Sequence, residues 1–335
     1  MAQVIATPAE QTRPLLTAHR FRLYEALPWL LAIVVFFAFP GYRLLATQIL
    51  CMILFALSLD LLVGYTGIAT LGHTAFFGTG AYTAALLAAN GWTEPLSGLL
   101  VAALGAGLLG GLSGWVVLRT HGLTLLMLTM ALTIMLYELA NDFDDITGGF
   151  DGINFENAPI FSIFEFDPIW FGVNYWYVLA VLFALFLLIR AIVYSPFGRM
   201  LIGIRENSRR MRAIGTPVHS RMVAIYVISC AMAGVAGALW VQVQGNITTA
   251  VLSFELSGEV LIMLILGGAG RLYGAFVGAA AFKLLESMTE QILGTDQPYW
   301  MLAIGLLLVL TVLFARRGLL GLLEDAAGLL QRDRL

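Results

Sequence analysis

Long apolar runs separated by short polar stretches restrict the fold of this chain more than any other feature. Only 12% of its residues are charged, whereas a soluble domain has about 25%. A helix needs about 17–25 apolar residues to cross the hydrocarbon core of a bilayer. The runs are Leu27–Pro40, Leu44–Val63, Ile68–Ala89, Leu96–Leu118, Leu123–Ala140, Val173–Val193, Met222–Val243, Leu256–Gly268, Leu272–Met288 and Tyr299–Phe314. The sequence therefore predicts an all-α, polytopic membrane helix bundle with about 8–10 transmembrane segments.

Two of the later runs are unusual for simple membrane spans. Leu256–Gly268 is short, and Leu272–Met288 is rich in glycine and alanine. Non-helical backbone is tolerated at membrane depth where it is buried in protein, so we expect broken or re-entrant helices here. The first run, Leu27–Pro40, follows a long polar lead and is not followed by a small-residue cleavage site. It is interpreted as a membrane anchor and not as a signal peptide.

The distribution of charge predicts the orientation in the membrane. Residues 141–172 contain seven acidic residues and no Lys or Arg, whereas residues 194–221 contain six arginines. One apolar run separates the two loops, and the positive-inside rule places the arginine loop in the cytoplasm and the acidic loop outside. Carried through ten segments, this parity puts both termini in the cytoplasm. The chain is thus divided into an N-terminal tail (1–26), a transmembrane domain (27–315) and a C-terminal tail (316–335).

The arginine loop has the signals of an amphipathic helix. Ser195 and Pro196 suit its start, Gly215 and Pro217 suit its end, and we expect a break near Gly198–Gly203. An apolar stripe runs along it at a spacing of three or four. The stripe consists of Leu201, Ile204, Ser208 and Met211. Two interpretations remain open: the helix rests on anionic lipid headgroups, or it docks a cytoplasmic partner.

Glycines inside the apolar runs predict helix breaks and close helix packing. Gly64 and Gly67 disfavour a continuous helix, since glycine costs about 1 kcal/mol relative to alanine in a helix interior. Such a break can form a hinge or line a translocation pathway. Gly270, Gly274 and Gly278 form two small-xxx-small steps, which allow helix backbones to approach closely. For each glycine, ordinary packing is the alternative to a functional role.

Ionisable groups within apolar runs are costly in lipid and are functional candidates. They are Asp60, His73, Glu138, Glu255, Glu259, Lys283 and Glu286. His73 is the best candidate for a polar group near a translocation path, and a structural histidine with satisfied hydrogen bonds is the alternative. Glu255, Glu259 and Glu286 can be explained by helix ends in water. Lys283 and Glu286, three residues apart, fit an intrahelical pair.

Several classes of protein are excluded. The net charge of −3 excludes a strongly basic nucleic-acid binder. The chain has no P-loop, zinc motif or dinucleotide fingerprint, and its only lysine, Lys283, follows Ala-Phe and cannot complete a P-loop. Cys51 and Cys230 lie in apolar runs and resemble no metal site. We therefore expect no catalytic residues, no metal and no cofactor on this chain.

Four blocks of the sequence carry a family resemblance. They are Gly64-Tyr65-Thr66-Gly67 with Thr70-Leu71-Gly72-His73 and Phe76–Tyr82, then Arg205-Glu206-Asn207 with Ala213-Ile214-Gly215, then Ala233–Ala238, and then Gly267–Gly274 with Gly278. In this order they resemble the LivM-type permease subunits of branched-chain amino acid ABC importers. The chain departs from the commoner pattern at Ser208, Arg209 and Arg210, which leaves the ATPase partner and the subfamily open.

The resemblance implies a coupling role for one set of residues, and the glycine pattern and the ionisable groups described above give two further sets. Residues expected to couple the permease to an ATPase are Arg205, Glu206, Asn207, Arg209, Arg210 and Gly215. Residues expected to act as hinges or to line the pathway are Asp60, Gly64, Tyr65, Gly67, Gly72 and His73. Residues expected to pack helices are Gly234, Gly237, Gly270, Gly274 and Gly278.

The resemblance also implies an assembly in a bacterial inner membrane. The expected partners are a second related permease in a heterodimer, two cytoplasmic subunits that bind ATP, and an external solute-binding protein. The expected solute is a branched-chain amino acid. Urea, short amides or aromatic acids remain open as solutes, and so does an ion-coupled secondary transporter that works through Asp60, Glu138 or His73.

Overall fold

The computed structural model describes residues 23–92, 94–155 and 172–293, and the single positions 305, 319 and 321. The described chain is helical, as predicted, apart from two two-residue strands. The helices are α1 (Leu27–Ala38), α2 (Arg43–Asp60), α3 (Thr74–Ala89), α4 (Pro95–Val117), α5 (Leu123–Asp142), α6 (Asp144–Thr147), α7 (Gly172–Tyr194), α8 (Pro196–Ala213), α9 (Val218–Gln244), α10 (Phe254–Gly267) and α11 (Leu272–Leu293). Short 3-10 turns cover Leu23–Ala26, Pro40–Tyr42 and Thr249–Leu252. The strands β1 (Ile153–Asn154) and β2 (Asn246–Ile247) pair antiparallel.

Five helices in the described part are long and apolar enough to cross a membrane: α2 with its flanking turns, α4, α5, α7 and α9. Helices α10 and α11 form a sixth candidate, bent by 118° at the break between them, and α1 and α3 are shorter apolar helices. These segments agree with the predicted polytopic bundle and its broken helices. Apart from position 305, the predicted segment Tyr299–Phe314 lies outside the described residues, as do most of both tails and residues 156–171 of the acidic loop.

Helix α9 is the centre of the bundle, packed against α4, α3 and α2. It can approach them closely because its middle consists of small residues. A Cβ on Gly234 would overlap Cβ of Ala106 on α4, and a Cβ on Gly237 would overlap the carbonyl oxygen of Phe77 on α3. In lipid, helices associate by such close packing because there is little hydrophobic gain from helix contact alone.

Apolar side chains on the outside of the bundle identify its lipid-facing surface. Along α4, Leu100, Leu104, Leu108 and Leu112 are 67–75% exposed. Their spacing of four residues places them on one side of the helix. Such a continuous apolar stripe fits hydrocarbon as the surrounding solvent.

The arginine-rich loop and the acidic loop lie at opposite ends of the bundle, because helix α7 separates them. We call the end that carries residues 194–221 the arginine end and the end that carries residues 141–155 the acidic end. At the arginine end Arg190 forms an ion pair with Glu25. At the acidic end the N–H of Phe155 donates to the carbonyl of Gly245 at 3.0 Å, next to the β1–β2 pair. Which end faces the cytoplasm stays a prediction.

Helix α8 begins and ends where the sequence predicts. The Ser195 hydroxyl accepts a hydrogen bond from the Gly198 N–H at 3.2 Å, and after the last turn Gly215 has a φ of +86°. Leu201 and Ile204 are buried. These are the first two positions of the predicted stripe.

The break predicted near Gly198–Gly203 is wrong. The non-helical residue inside α8 is Asn207, with φ −156° and ψ 91°. Its side-chain oxygen accepts a hydrogen bond from the Arg210 N–H at 3.0 Å and so caps the next turn. Gly198 instead serves close packing, because a Cβ there would overlap the Val193 carbonyl oxygen.

The orientation can be tested with single cysteines at the two ends. Asp151 and Ala213 are both exposed, whereas the native Cys51 and Cys230 are fully buried and give little background. With Asp151→Cys, we expect a membrane-impermeant maleimide to label intact cells. With Ala213→Cys, labelling should require permeabilised cells. The reverse pattern would contradict the predicted orientation while leaving the bundle itself intact.

Candidate functional site

Helix α2 is broken at the arginine end, where the sequence predicts a break at Gly64–Gly67. A π-helical turn, Leu61–Thr66, extends it, and Gly67 then adopts a left-handed φ of +73°. The Ile68 N–H donates to the Leu62 carbonyl at 2.9 Å and closes the turn. Together with its flanking turns this span has 27 residues, or about 40 Å of helix. The break therefore lies at the arginine end of this span and not in its middle.

The bent pair α10–α11 has its break beside that of α2. Gly268 and Gly270 have φ values of +106° and +81°, which favour glycine. The Gly270 N–H donates to Oδ1 of Asp60 at 2.7 Å. Gly64 lies between them, and a Cβ there would overlap both the Asp60 carboxylate and the Gly270 backbone nitrogen. The two broken helices are thus joined through one carboxylate and two glycines.

Arg205 on α8 completes this contact. Its guanidinium Nη1 donates to the carbonyl oxygen of Gly64 and interacts electrostatically with the Asp60 carboxylate. Its aliphatic stem lies over Gly67, where a Cβ would come within 3.1 Å of Cγ of Arg205. Nη1 also lies 3.6 Å from the position that a Cβ on Gly270 would take, so this side chain is bonded to the broken end of α2 and lies beside the vertex of the bent pair. We call Asp60, Gly64, Gly67, Gly270 and Arg205 the Arg205 junction.

The other residues expected to couple the permease to an ATPase form an outer surface of α8. Glu206, Asn207, Arg209, Arg210 and Gly215 are all exposed at the arginine end. Sequence reasoning grouped Arg205 with them. Arg205 is exposed as well, but its guanidinium bonds the broken end of α2, whereas Glu206, Arg209 and Arg210 place their charges on the outer surface.

His73 and its neighbours lie in the packed interior. His73 is 1% exposed, its Nε2 is 2.9 Å from the Ser58 hydroxyl, and its ring stacks on Phe55 at 5.5 Å between centroids. The Ser229 hydroxyl donates to the Ser58 carbonyl and ties this group to α9. His73 is thus packed in the interior, as the structural alternative expects, but its Nδ1 has no hydrogen-bond partner among the described residues.

Tyr65 and Gly72, the remaining hinge or pathway candidates, also lie within packed contacts. Tyr65 is 9% exposed, in the π-helical turn that extends α2. A Cβ on Gly72 would overlap the Thr129 carbonyl oxygen of α5. Gly72 therefore allows the loop before α3 to touch the backbone of α5.

The glycines of the bent pair bring its two helices into backbone contact. A Cβ on Gly274 would overlap the Gly268 carbonyl oxygen, and one on Gly278 would overlap the Met263 carbonyl oxygen. Such contacts leave little room for the two helices to slide past each other. The pair can therefore move as one rigid unit, with the Arg205 junction at its vertex.

Sequence reasoning missed an ionic link between these helices. Lys283 Nζ lies 2.6 Å from the Glu286 carboxylate, as the spacing predicts, and also 3.9 Å from the Glu259 carboxylate on α10. The expectation that Glu259 and Glu286 lie in water at helix ends is wrong, since their side chains are only 22% and 17% exposed. Glu255, in contrast, is exposed in the first turn of α10.

Comparisons with known proteins agree with this architecture. The family described as the permease component of branched-chain amino acid transport systems matches residues 42–312. The high-affinity branched-chain amino acid transport system permease protein LivM of Salmonella typhimurium is 31% identical over 303 residues, 82% of this chain and 69% of the relative. LivM of Escherichia coli K12 is 30% identical over 302 residues, with the same coverage. The permease LivH of E. coli K12 is 29% identical over 128 residues, 38% of this chain and 41% of the relative. No solved structure matches the chain significantly.

The tight packing of the Arg205 junction predicts that Gly64→Ala destabilises the protein. The added methyl group would overlap Asp60 and Gly270, and overpacking of this kind costs about 1–3 kcal/mol. Gly258→Ala is the matched control, because a Cβ on Gly258 has no neighbour within 4 Å. Because Cys51 and Cys230 are buried, a thiol-reactive dye reports unfolding in detergent. We expect a lower melting temperature for Gly64→Ala only; equal melting temperatures would show that the junction tolerates a side chain.

Proposed function

Because the chain belongs to the family of permease components of branched-chain amino acid transport systems, we propose that it moves a branched-chain amino acid or a related small solute through an ATP-driven importer. The chain itself is a multi-pass membrane permease subunit. ATP would be bound and hydrolysed by separate subunits. The observation that carries the proposed mechanism is the Arg205 junction, where an amphipathic helix on the surface holds two broken membrane helices.

The proposed assembly contains a second, related permease. Support comes from the similarity of the chain to both LivM, over most of its length, and LivH, over a shorter stretch. The other proposed partners are two cytoplasmic ATP-binding subunits at the arginine end and a solute-binding protein at the acidic end. The proposed location is a bacterial inner membrane, in keeping with the bacterial relatives.

The proposed coupling starts at the outer surface of α8. Closure of the ATP-binding subunits would press on Glu206, Arg209 and Arg210, which are exposed. The kink at Asn207 lies between Arg209 and Arg205. Bending of α8 at this kink would change the position of the Arg205 guanidinium.

At the junction, Arg205 has two possible acceptors. It bonds the Gly64 carbonyl in this structure, and the nearby Oδ2 of Asp60 has no hydrogen-bond partner among the described residues. Exchange between these acceptors would shift the broken end of α2 against the vertex of the bent pair. Two discrete arrangements of this kind are what alternating access requires.

The role of Arg205 predicts a specific uncoupling phenotype. In a reconstituted complex, we expect Arg205→Ala to lower ATP-driven uptake about tenfold or more, since a hydrogen bond from a charged group contributes about 1.5–3 kcal/mol. Arg199→Ala is the matched control, because Arg199 is an exposed arginine on the same helix. Uptake is compared at equal amounts of assembled complex. Equal uptake by both variants would remove Arg205 from the mechanism.

The outer surface of α8 is tested by replacing Glu206, Arg209 and Arg210 together with alanine, which leaves Arg205 and the cap at Asn207 in place. Loss of the ATP-binding subunits on co-purification would support α8 as the docking helix. Normal uptake by this triple variant at normal protein level would contradict that assignment.

The ATP-driven class is tested with the purified chain alone. We expect no solute accumulation in liposomes under a proton or sodium gradient. Gradient-driven uptake by the single chain would favour the ion-coupled alternative through Asp60, Glu138 or His73. For the complete complex, competition by leucine against urea, short amides and aromatic acids identifies the solute.

A further inference from the structure

A cavity of about 340 Å³ lies toward the acidic end, among helices α2, α9, α10 and α11. Its volume is within the range of about 300–1,000 Å³ that small-molecule sites occupy, and such sites are common between the helices of bundles. Met52, Trp240 and Leu256 form apolar parts of its wall, and Asn246, Glu259 and Lys283 form polar parts. Apolar walls with a few convergent polar groups are typical of ligand sites.

The charges at this cavity are unusual for a membrane domain. Lys283 is the only lysine of the chain. Its side chain is 12% exposed and bridges Glu286 on its own helix and Glu259 on α10. Ionisable residues at membrane depth are costly, face the interior or a water-filled cavity, and mark solute paths. The neighbouring glycines already hold α10 and α11 together. The charged group of Lys283, Glu259 and Glu286 is therefore not needed for helix packing and requires another explanation.

Lys283 lies at different distances from its two carboxylates, so its ammonium group keeps hydrogen-bonding capacity for a ligand. Lys283 Nζ is 2.6 Å from the Glu286 carboxylate but 3.9 Å from that of Glu259. An ammonium group has three donors, so Lys283 can keep Glu286 and donate to a further carboxylate. Glu259 can then accept from a cation. The group thus offers one cation for a ligand's carboxylate and one loosely paired carboxylate, Glu259, for a ligand's ammonium group.

We infer that this cavity binds the zwitterionic head group of an α-amino acid. Its carboxylate accepts hydrogen bonds from Lys283, its ammonium group donates to Glu259, and its apolar side chain lies against Met52, Trp240 and Leu256. This inference rests on the proposed function and adds to it a solute site on the permease itself.

The neighbouring cavity of about 620 Å³ fits this ligand less well. It lies against α5 and carries the carboxylates of Glu138 and Glu255, and no Lys or Arg is among its described lining residues. Two carboxylates without a cationic side chain disfavour the carboxylate of a zwitterion. Glu138→Gln in this cavity is therefore a suitable control.

The test measures binding of radiolabelled L-leucine to the purified complex without its solute-binding protein. Unlabelled leucine, leucinamide, which lacks the carboxylate, and 4-methylpentanoate, which lacks the ammonium group, serve as competitors. With the native chain, we expect leucine to compete about tenfold or more better than either analogue, because each lacks one charged contact.

The variants should lose this discrimination selectively. Lys283→Gln should make leucinamide as good a competitor as leucine, and Glu259→Gln should do the same for 4-methylpentanoate. Glu138→Gln should retain the native pattern. The double variant Lys283→Gln/Glu286→Gln removes the close pair together, avoids an unpaired buried carboxylate on α11, and should match Lys283→Gln.

The failures are distinguishable. If the native complex imports leucine with ATP but Lys283→Gln and Glu259→Gln keep the native competition pattern, or weaken all competitors equally, then the charged group is only a brace and the inference is wrong. If the native complex imports no amino acid, the proposed function fails first. A native complex that binds leucine with the predicted discrimination supports both.

Discussion

Hydrocarbon offers no hydrogen bonds to the peptide backbone, and this constraint explains the site as well as the fold. Where a membrane helix is interrupted, the freed N–H and C=O groups must find partners within the protein. In this chain the freed groups of two interrupted helices find hydrogen-bond partners at one place. The Gly270 N–H of one finds the Asp60 carboxylate beside the other, and the Gly64 carbonyl finds Arg205. The same bonds that satisfy the backbone therefore connect the surface helix to the membrane helices.

Small residues decide which parts of the bundle can move relative to each other. Along α9, α10 and α11, glycines place backbone against backbone, and such contacts have no alternative rotamers through which they could adapt. The Arg205 junction is different, because a long arginine side chain has many rotamers and two acceptors within its surroundings. Motion is therefore expected between packed units, at the arginine, and not within them.

Much of this could be predicted from the sequence, for identifiable reasons. The length of the apolar runs and the unequal charge of the loops reflect the surrounding solvent. They therefore predicted the membrane helices and the placement of the loops at two ends. The break at Gly64–Gly67 and the cap at Ser195 are local signals, and the structure has both. The kink at Asn207 was missed because Gly198 and Gly203 were expected to break the helix, although asparagine is favoured at N-caps and disfavoured in helix interiors.

The contact between Lys283 and Glu259 could not be predicted, because it depends on the register between α10 and α11. Gly267 packs on Gly274 and Gly278 packs on Met263; one further turn along each helix brings Glu259 level with the residue before Lys283. Helix spacing within one chain segment predicted only the pair with Glu286. The cross-helix pair requires knowledge of the 118° bend, which sequence periodicity does not contain.

The bent pair also connects the two proposed sites physically. Its vertex lies in the Arg205 junction, and its arms carry Glu259 and Lys283 toward the acidic end. From Glu259 to the end of α10 at Gly267 is about two turns of helix, or about 12 Å, and the arms are locked together by glycine contacts. A small rotation at the vertex is therefore transmitted to both charged side chains at once, without breaking the pair between them. Their position relative to Trp240 on α9 changes instead, so the cavity can alter its shape while its charges stay matched. A release of Arg205 from Gly64 would in this way reach a bound zwitterion through rigid helices alone.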